Sequence, residues 1–272
     1  MAREELCSAR GPRFKAVFVL GLAHCGSTLL GRMLGMHPAV LSVGELMRLG
    51  PAVERDALCT CGAVMSQCPF WTPRLPALRE RTRLDYRRFG VDLYAELAHG
   101  AGRELAFDVS KTLVWKRTRW WRNRGEGYVL LVRDTRGLMS SALRTERDLG
   151  HLLKKHVKWM RRLSSYARRR GDRALVMHYE DLCREPEREL RRLCDFMRIP
   201  FTPELLRPAD GVHHLVHSST SGYLKGKNDI RLDERWRKEL SPADLLRIED
   251  AMEGLEAFRG RFERVSPPRA RA

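Results

Sequence analysis

No stretch of about 18 uncharged apolar residues occurs in the chain, which excludes a conventional membrane-spanning helix. The opening segment MAREELCSARGPRFK lacks the apolar run that a secretory leader requires. Negative charge is in short supply: 34 Asp plus Glu stand against 51 Lys plus Arg, a formal net charge of +17. That surplus calls for an anionic partner, and a phosphorylated small molecule, a nucleic acid or an acidic membrane surface would each satisfy it. Cysteine is too sparse for a disulfide framework. There are seven, an odd number, and Cys7, Cys25, Cys183 and Cys194 are scattered, so a reducing compartment, the cytoplasm, is the expectation. What is present is globular: 43% hydrophobic and 31% charged residues exclude a disordered chain. The length of 272 residues suffices for one large α/β domain or two small ones.

Short apolar runs of strand length occur at Ala16–Gly21, Ala39–Val43, Leu105–Val109, Tyr128–Val132 and Arg173–Tyr179. They are continuous rather than alternating, as in strands covered on both faces, and helical patterns fall between most of them. The expectation is a three-layer α/β fold, a central parallel sheet of about five strands flanked by helices. Helices are expected at Thr28–Met36, Tyr86–Ala98, Arg136–Arg147, Leu152–Arg170, Leu182–Met197 and Pro242–Phe258. A single domain over residues 15–262 is expected, with flexible tails at 1–14 and 263–272. In Leu152–Arg170 the apolar positions Leu153, Val157, Met160, Leu163 and Ala167 keep helical spacing among eight cations, which reads first as a solvated face and second as a polyanion-binding stripe.

The segment Gly21-Leu22-Ala23-His24-Cys25-Gly26-Ser27-Thr28 follows the first strand and opens a helix, where backbone N–H groups can wrap an anion. Set beside the ATP-binding pattern G-x-x-x-x-G-K-[ST], both glycines and the Thr fit, but Ser27 replaces the lysine that reaches the β and γ phosphates. A cradle for one tetrahedral anionic group remains. A second anchor lies at the end of the fourth strand, in VRDTRGLMSS: Arg133 leaves the carboxyl end of the sheet, and Ser141 lies about two helical turns further on. The pair could hold one phosphate, or Arg133-Asp134 could be an ion pair at a helix N-cap.

The loop VLGLAHCGSTLLGRMLGMHPAVLSVGE and the segment VLLVRDTRGLMSSALR resemble, in the same order, the 5′-phosphosulfate and 3′-phosphate motifs of sulfotransferases that use 3′-phosphoadenosine 5′-phosphosulfate (PAPS). The resemblance extends to HYEDLCREPERELRRLCDFMRIPF and, more loosely, to Lys225-Gly226-Lys227. It implies a P-loop NTPase-like α/β fold and an enzyme of EC 2.8.2 type that uses PAPS as cosubstrate without a metal. It implies that Cys25, Gly26, Ser27 and Thr28 hold the 5′-phosphosulfate, that Arg133 and Ser141 hold the 3′-phosphate with Lys225 and Gly226 closing over it, and that Tyr179 meets the adenine. Arginine suits the phosphate independently, because its planar fork binds a dianion bidentately.

Sulfuryl transfer to a hydroxyl needs a base for the acceptor proton and cations for the sulfuryl and leaving oxygens. Glu45, after the second strand, stands where tyrosylprotein sulfotransferases and some bacterial sulfotransferases carry a glutamate base; the plainer reading is a first-turn glutamate favoured by the helix dipole. Lys111 ends the third strand and matches the family's lysine near the transferred group. His24 departs from the Lys or Arg of many relatives, and it is the alternative base; bound coenzyme would raise its pKa by charge, or it would act as a neutral donor.

Cys59, Cys61 and Cys68 supply three thiols but no local fourth ligand, so no metal is assigned and a structural loop is expected. His213, His214 and His217 receive no role. The acceptor is left open among carbohydrate, glycolipid, small-molecule and tyrosine hydroxyls, and an anionic acceptor would help account for the surplus charge. No nucleic-acid partner is expected. The competing readings are a P-loop kinase, opposed by Ser27, and a basic nucleic-acid-binding protein, for which only the charge speaks.

Overall fold

The structure, a computed structural model, describes residues 11–111, 125–146, 148–217 and 230–253. Five strands form one sheet: β1 (Ala16–Leu20), β2 (Val40–Gly44), β3 (Leu105–Lys111), β4 (Glu126–Val132) and β5 (Ala174–His178), in the spatial order β2-β3-β1-β4-β5. All four pairings are parallel. β1 and β4 are buried along their whole length, which is why their sequences are apolar without alternation. β5 departs from that pattern: it is an edge strand, and Val176 is exposed.

Helices α1 (Ser27–Gly35), α2 (Leu49–Glu54), α3 (Leu75–Thr82), α4 (Val91–His99), α5 (Thr135–Leu143), α6 (Leu149–Arg170), α7 (Tyr179–Arg184), α8 (Pro186–Met197), α9 (Trp236–Glu239) and α10 (Pro242–Met252) complete the described elements. Side chains of Asp134, Asp148 and Ser241 cap α5, α6 and α10 by accepting backbone N–H bonds in the first turn.

Several boundaries differ from the sequence expectation for local reasons. The expected Leu182–Met197 helix is two helices, because Glu185 precedes Pro186 and is held outside the α region at φ −133°, ψ 61°. The expected Tyr86–Ala98 helix is a 3₁₀ turn, Tyr86–Arg88, and then α4, separated by extended Gly90. α5 stops at Leu143, short of the expected Arg147. Phe14, assigned to the N-terminal tail from sequence, is buried against Phe196 with ring centroids 5.0 Å apart, so the fold begins before residue 15. The tails at 1–10 and 263–272, and the end of the expected Pro242–Phe258 helix, lie outside the described residues.

On α6, Leu153, Met160, Leu163 and Ala167 are buried, whereas Lys154, Lys155, Lys158, Arg161, Arg162, Arg168 and Arg169 face solvent. Arg170 instead covers the Tyr166 ring at 4.5 Å. Buried residues from the sheet and from α1, α4, α6, α8 and α10 form one connected core. No described helix is long and apolar enough to cross a membrane.

The strand order has a functional consequence. From β1 the chain moves outward on one side to β2 and returns through β3, whereas β4 continues on the other side to β5. The loops leaving β1 and β4 therefore part from each other, and a crevice opens at their carboxyl ends, where open parallel sheets bind ligands.

Candidate active site

The β1–α1 loop forms one wall of that crevice. His24 and Gly26 have positive φ, 67° and 91°, which turns the chain sharply into α1. A Cβ at Gly26 would overlap the Tyr179 ring, so glycine is required there by space as well as by backbone. α1 has no side-chain N-cap and no acidic residue in its first turn. The N–H groups of its first turn therefore face no competing carboxylate or side-chain cap, as an anion-binding helix end requires. The Cys25 amide donates to the Leu22 carbonyl at 3.3 Å, and its thiol is buried, with burial raising its pKa.

Two irregularities at the strand ends aim side chains at this wall. Between Phe18↔Asp108 and Leu20↔Lys111, β3 contains one residue more than β1; between Ser42↔Phe107 and Gly44↔Asp108, β2 contains one more than β3. Such bulges bend a strand and re-aim the residue that follows. Gly44 at φ 71° and Lys111 at φ 62° complete the bends. A Cβ at Gly44 would come within 2.5 Å of the Val216 carbonyl oxygen, so only glycine admits the 215–216 segment beside β2. The result is a compact triad: Lys111 Nζ lies 2.5 Å from Glu45 Oε1 and donates to Ser27 Oγ at 3.1 Å. Glu45 precedes a 3₁₀ turn, Leu46–Arg48, yet its carboxylate turns to Lys111 and does not cap it. Its backbone N–H is held by the Val216 carbonyl at 2.8 Å.

Arg133 forms the opposite wall. Its guanidinium donates to the His24 carbonyl at 2.7 Å, lies 4.5 Å from the Tyr179 ring centroid and pairs with Asp233 Oδ2 at 3.0 Å. Tyr179 is thus wedged between the glycine loop and Arg133. The alternative expectation of an Arg133–Asp134 ion pair is not what forms: Asp134 caps α5 and holds Arg136 in a fork, with contacts at 2.6 and 3.0 Å. Ser141 is buried on α5, and neighbouring Ser140 is bound to Glu239. Lys225 and Gly226 lie outside the described residues.

His24 sits beside Arg133, Lys111 and Arg144. Partial desolvation, then these cations in that order, lower its pKa, which favours the neutral imidazole.

Sequence reasoning missed two features. One is Asp233, brought to Arg133 because α9 is tied to α5 by the Arg144–Glu239 ion pair at 2.7 Å and by Arg136 stacked 4.2 Å from Trp236. Arg235 also grips Asp233, at 2.7 Å, and its hydrogen bonds hold that carboxyl well below the usual carboxylate range. The other is His214, which meets the thiols of Cys59, Cys61 and Cys68, all four ligand atoms lying within 4.8 Å of one another. The missing fourth ligand is therefore supplied from 146 residues away in sequence, a separation no spacing pattern reveals.

The architecture is that of known sulfotransferases. The sulfotransferase domain of the Synechococcus PCC 7002 olefin synthase is 24% identical with a TM-score of 0.62, covering 93% of this chain and 97% of that one. The sulfotransferase domain from the curacin biosynthetic pathway is 22% identical with a TM-score of 0.60, covering 87% and 96%. Sulfotransferase STF9 from Mycobacterium avium is 12% identical with a TM-score of 0.53, covering 94% and 81%. No curated protein matches the sequence. Residues 126–203, which carry Arg133, Ser141 and Tyr179, match the model of the family described as the sulfotransferase family. The chain thus has the sulfotransferase fold over its described residues, and its 126–203 segment is a match to the sulfotransferase family.

Proposed function

We propose that this protein is a sulfotransferase that moves the sulfuryl group of PAPS to an acceptor hydroxyl by in-line displacement. The observation that carries the proposal is the Ser27–Lys111–Glu45 triad facing Arg133 across the β1/β4 crevice. One wall offers helix N–H groups, a hydroxyl and an ammonium to a phosphosulfate. The other offers a guanidinium to a separate phosphate, with the Tyr179 ring between them.

In this reading the N–H groups of Gly26, Ser27 and Thr28 orient the 5′ group, with Cys25 contributing to the loop's shape. Arg133 and Ser141 take the 3′-phosphate, Tyr179 packs beside the base, and Lys225 and Gly226 close over the phosphate. Glu45 accepts the acceptor's proton as its oxygen bonds to sulfur. As the sulfur–oxygen bond to the 5′-phosphate breaks, Lys111 turns from the carboxylate to the sulfuryl and bridging oxygens, where charge develops. Neutral His24 donates a hydrogen bond at the loop and is the second candidate base. The chemistry needs no metal at this crevice. A single domain acting in the cytoplasm on a hydroxyl-bearing acceptor completes the proposal.

The test is transfer of labelled sulfate from PAPS across a panel of carbohydrate, phenol and lipid hydroxyls. Glu45→Gln should lose about 10²- to 10⁴-fold in kcat while still binding the product nucleotide. Full activity in Glu45→Gln would remove Glu45 from the role. Absence of PAPS turnover with every acceptor class, together with absence of nucleotide binding, would sink the proposal as a whole.

A further inference from the structure

The geometry points to a metal site remote from this chemistry: Cys59, Cys61, Cys68 and His214 bind one zinc ion in a closed, four-coordinate structural centre. Cys61 Sγ and Cys68 Sγ are 3.8 Å apart. His214 Nδ1 is 3.3 Å from Cys68 Sγ and 3.9 Å from Cys59 Sγ. A tetrahedral zinc with Zn–S near 2.3 Å and Zn–N near 2.0–2.1 Å requires S···S edges of about 3.8 Å and S···N edges of about 3.5 Å. The S···S separation of 3.8 Å equals that edge, the two S···N separations of 3.3 and 3.9 Å fall on either side of theirs, and all four atoms lie within 4.8 Å of one another. They are far too long for an S–S bond of about 2.05 Å. Three thiolates and one imidazole form a soft donor set that suits zinc and leaves no open position for catalysis.

The surroundings are built as a metal site's are. Cys59 and Cys68 are 4% and 0% exposed and Cys61 and His214 are half-buried, so two of the sulfurs lie where apolar side chains would otherwise pack. The Cys59-Thr60-Cys61-Gly62 turn closes on itself, Gly62 N–H donating to the Cys59 carbonyl at 3.0 Å and Cys59 N–H to the Ala63 carbonyl at 2.8 Å. Second contacts fix the histidine: Phe70 stacks on its ring at 5.4 Å and the Trp71 indole N–H donates to its carbonyl at 2.8 Å. Thr60 joins the two segments independently, donating to the His213 carbonyl at 2.7 Å and accepting from Leu215 N–H at 2.8 Å.

The position explains what the ion would do. The segment it anchors continues into Val216, which donates to the Val43 carbonyl at 3.1 Å and accepts the Glu45 N–H at 2.8 Å. Zinc would pin the 57–68 loop and the 213–216 segment against the end of β2, and so steady the backbone of Glu45. The inference concerns metal content and stands apart from the sulfotransferase reading.

The experiment is metal analysis of the full chain purified under reducing conditions and, after chelation, reconstituted with zinc or with cobalt(II). The expected result is one zinc per chain and, with cobalt, intense visible bands and a thiolate-to-metal band of a tetrahedral sulfur-rich site. His214→Ala should weaken zinc binding about a hundredfold or more, while His214→Cys should keep the ion. Chelation of the folded wild type should lower Tm, with three thiols becoming reactive. Less than a tenth of an equivalent of zinc in reconstituted, reduced protein would overturn the proposal. So would undiminished binding in His214→Ala, or a Cys61–Cys68 disulfide in the reduced, native preparation.

Discussion

Replacing Asp233 with Asn should make the protein bind 3′-phosphoadenosine 5′-phosphate, the product nucleotide of PAPS, more tightly. The Asp233 carboxylate lies 3.0 Å from the Arg133 guanidinium, and the two side chains are 10% and 7% exposed. It occupies the arginine proposed to hold the 3′-phosphate, so an incoming phosphate must displace it or bind beside it. Opposite unit charges about 4 Å apart interact by ~4 kcal/mol at an effective dielectric constant of 20. Most of that is recovered, because the phosphate takes over Arg133 and Asp233 keeps Arg235 at 2.7 Å. A residue of about 1–2 kcal/mol remains, which corresponds to a roughly 5- to 30-fold gain in affinity for Asp233→Asn.

The Asp233 carboxyl is held well below the usual carboxylate range, chiefly by its hydrogen bonds to Arg235. It stays charged wherever an ordinary Asp would be, so the gain should be constant between about pH 5 and 8. Calorimetric titration at fixed ionic strength measures it. Unchanged or weaker binding in the variant would refute the reasoning and make Asp233 a residue that orients Arg133 for the ligand.

Other consequences follow from the same geometry. Lys111→Met should reduce sulfuryl transfer by about 10²- to 10³-fold with little change in nucleotide affinity, because the ammonium acts on charge that develops in the transition state; a matching loss in binding would show a ground-state role. Gly26→Ala forces a side chain into positive φ and against the Tyr179 ring, so it should lower stability by about 1–3 kcal/mol and abolish nucleotide binding, read by denaturant unfolding and titration. His156 is buried, with Nε2 3.0 Å from Thr135 Oγ1, and burial lowers its pKa to about 4. Its folded pKa lies below the unfolded value near 6.5, so the unfolded chain binds the extra proton and stability falls as pH drops from about 6.5 to 4. That loss reaches about 3 kcal/mol, and a His156→Gln variant should show a flatter pH dependence of urea unfolding over this window.

The elements that position the site were legible because they are local. Each of the five strands is a largely apolar run, and the glycine loop, Arg133 and Lys111 sit where three of those runs end. Glu45 and Lys111 were each placed at a strand end from sequence, but their contact was not: it depends on β2 pairing with β3 and on the bulges that aim the two side chains, neither of which has a signature in composition. The break between α7 and α8 was available from Pro186 and was overlooked in favour of helical periodicity. Asp233 and His214 were not legible. Their partners lie 100 and 146 residues away, and each is delivered by packing of a late segment, α9 onto α5 for Asp233 and the 213–216 segment beside β2 for His214. A carboxylate among the cations of Arg231–Lys238 reads as a surface residue until α9 is seen docked on α5. A histidine beside another histidine gives no sign that its segment will pair with the end of β2.

The central claim is that the β1/β4 crevice is a PAPS site, and titration of the protein with 3′-phosphoadenosine 5′-phosphate, in the presence and absence of Mg²⁺ and beside ATP, tests it most directly. The account predicts micromolar binding that needs no Mg²⁺, exceeds that of ATP, and falls by at least about a hundredfold in Arg133→Ala. Preferential binding of Mg²⁺–ATP, or bisphosphate binding that survives in Arg133→Ala, would contradict it.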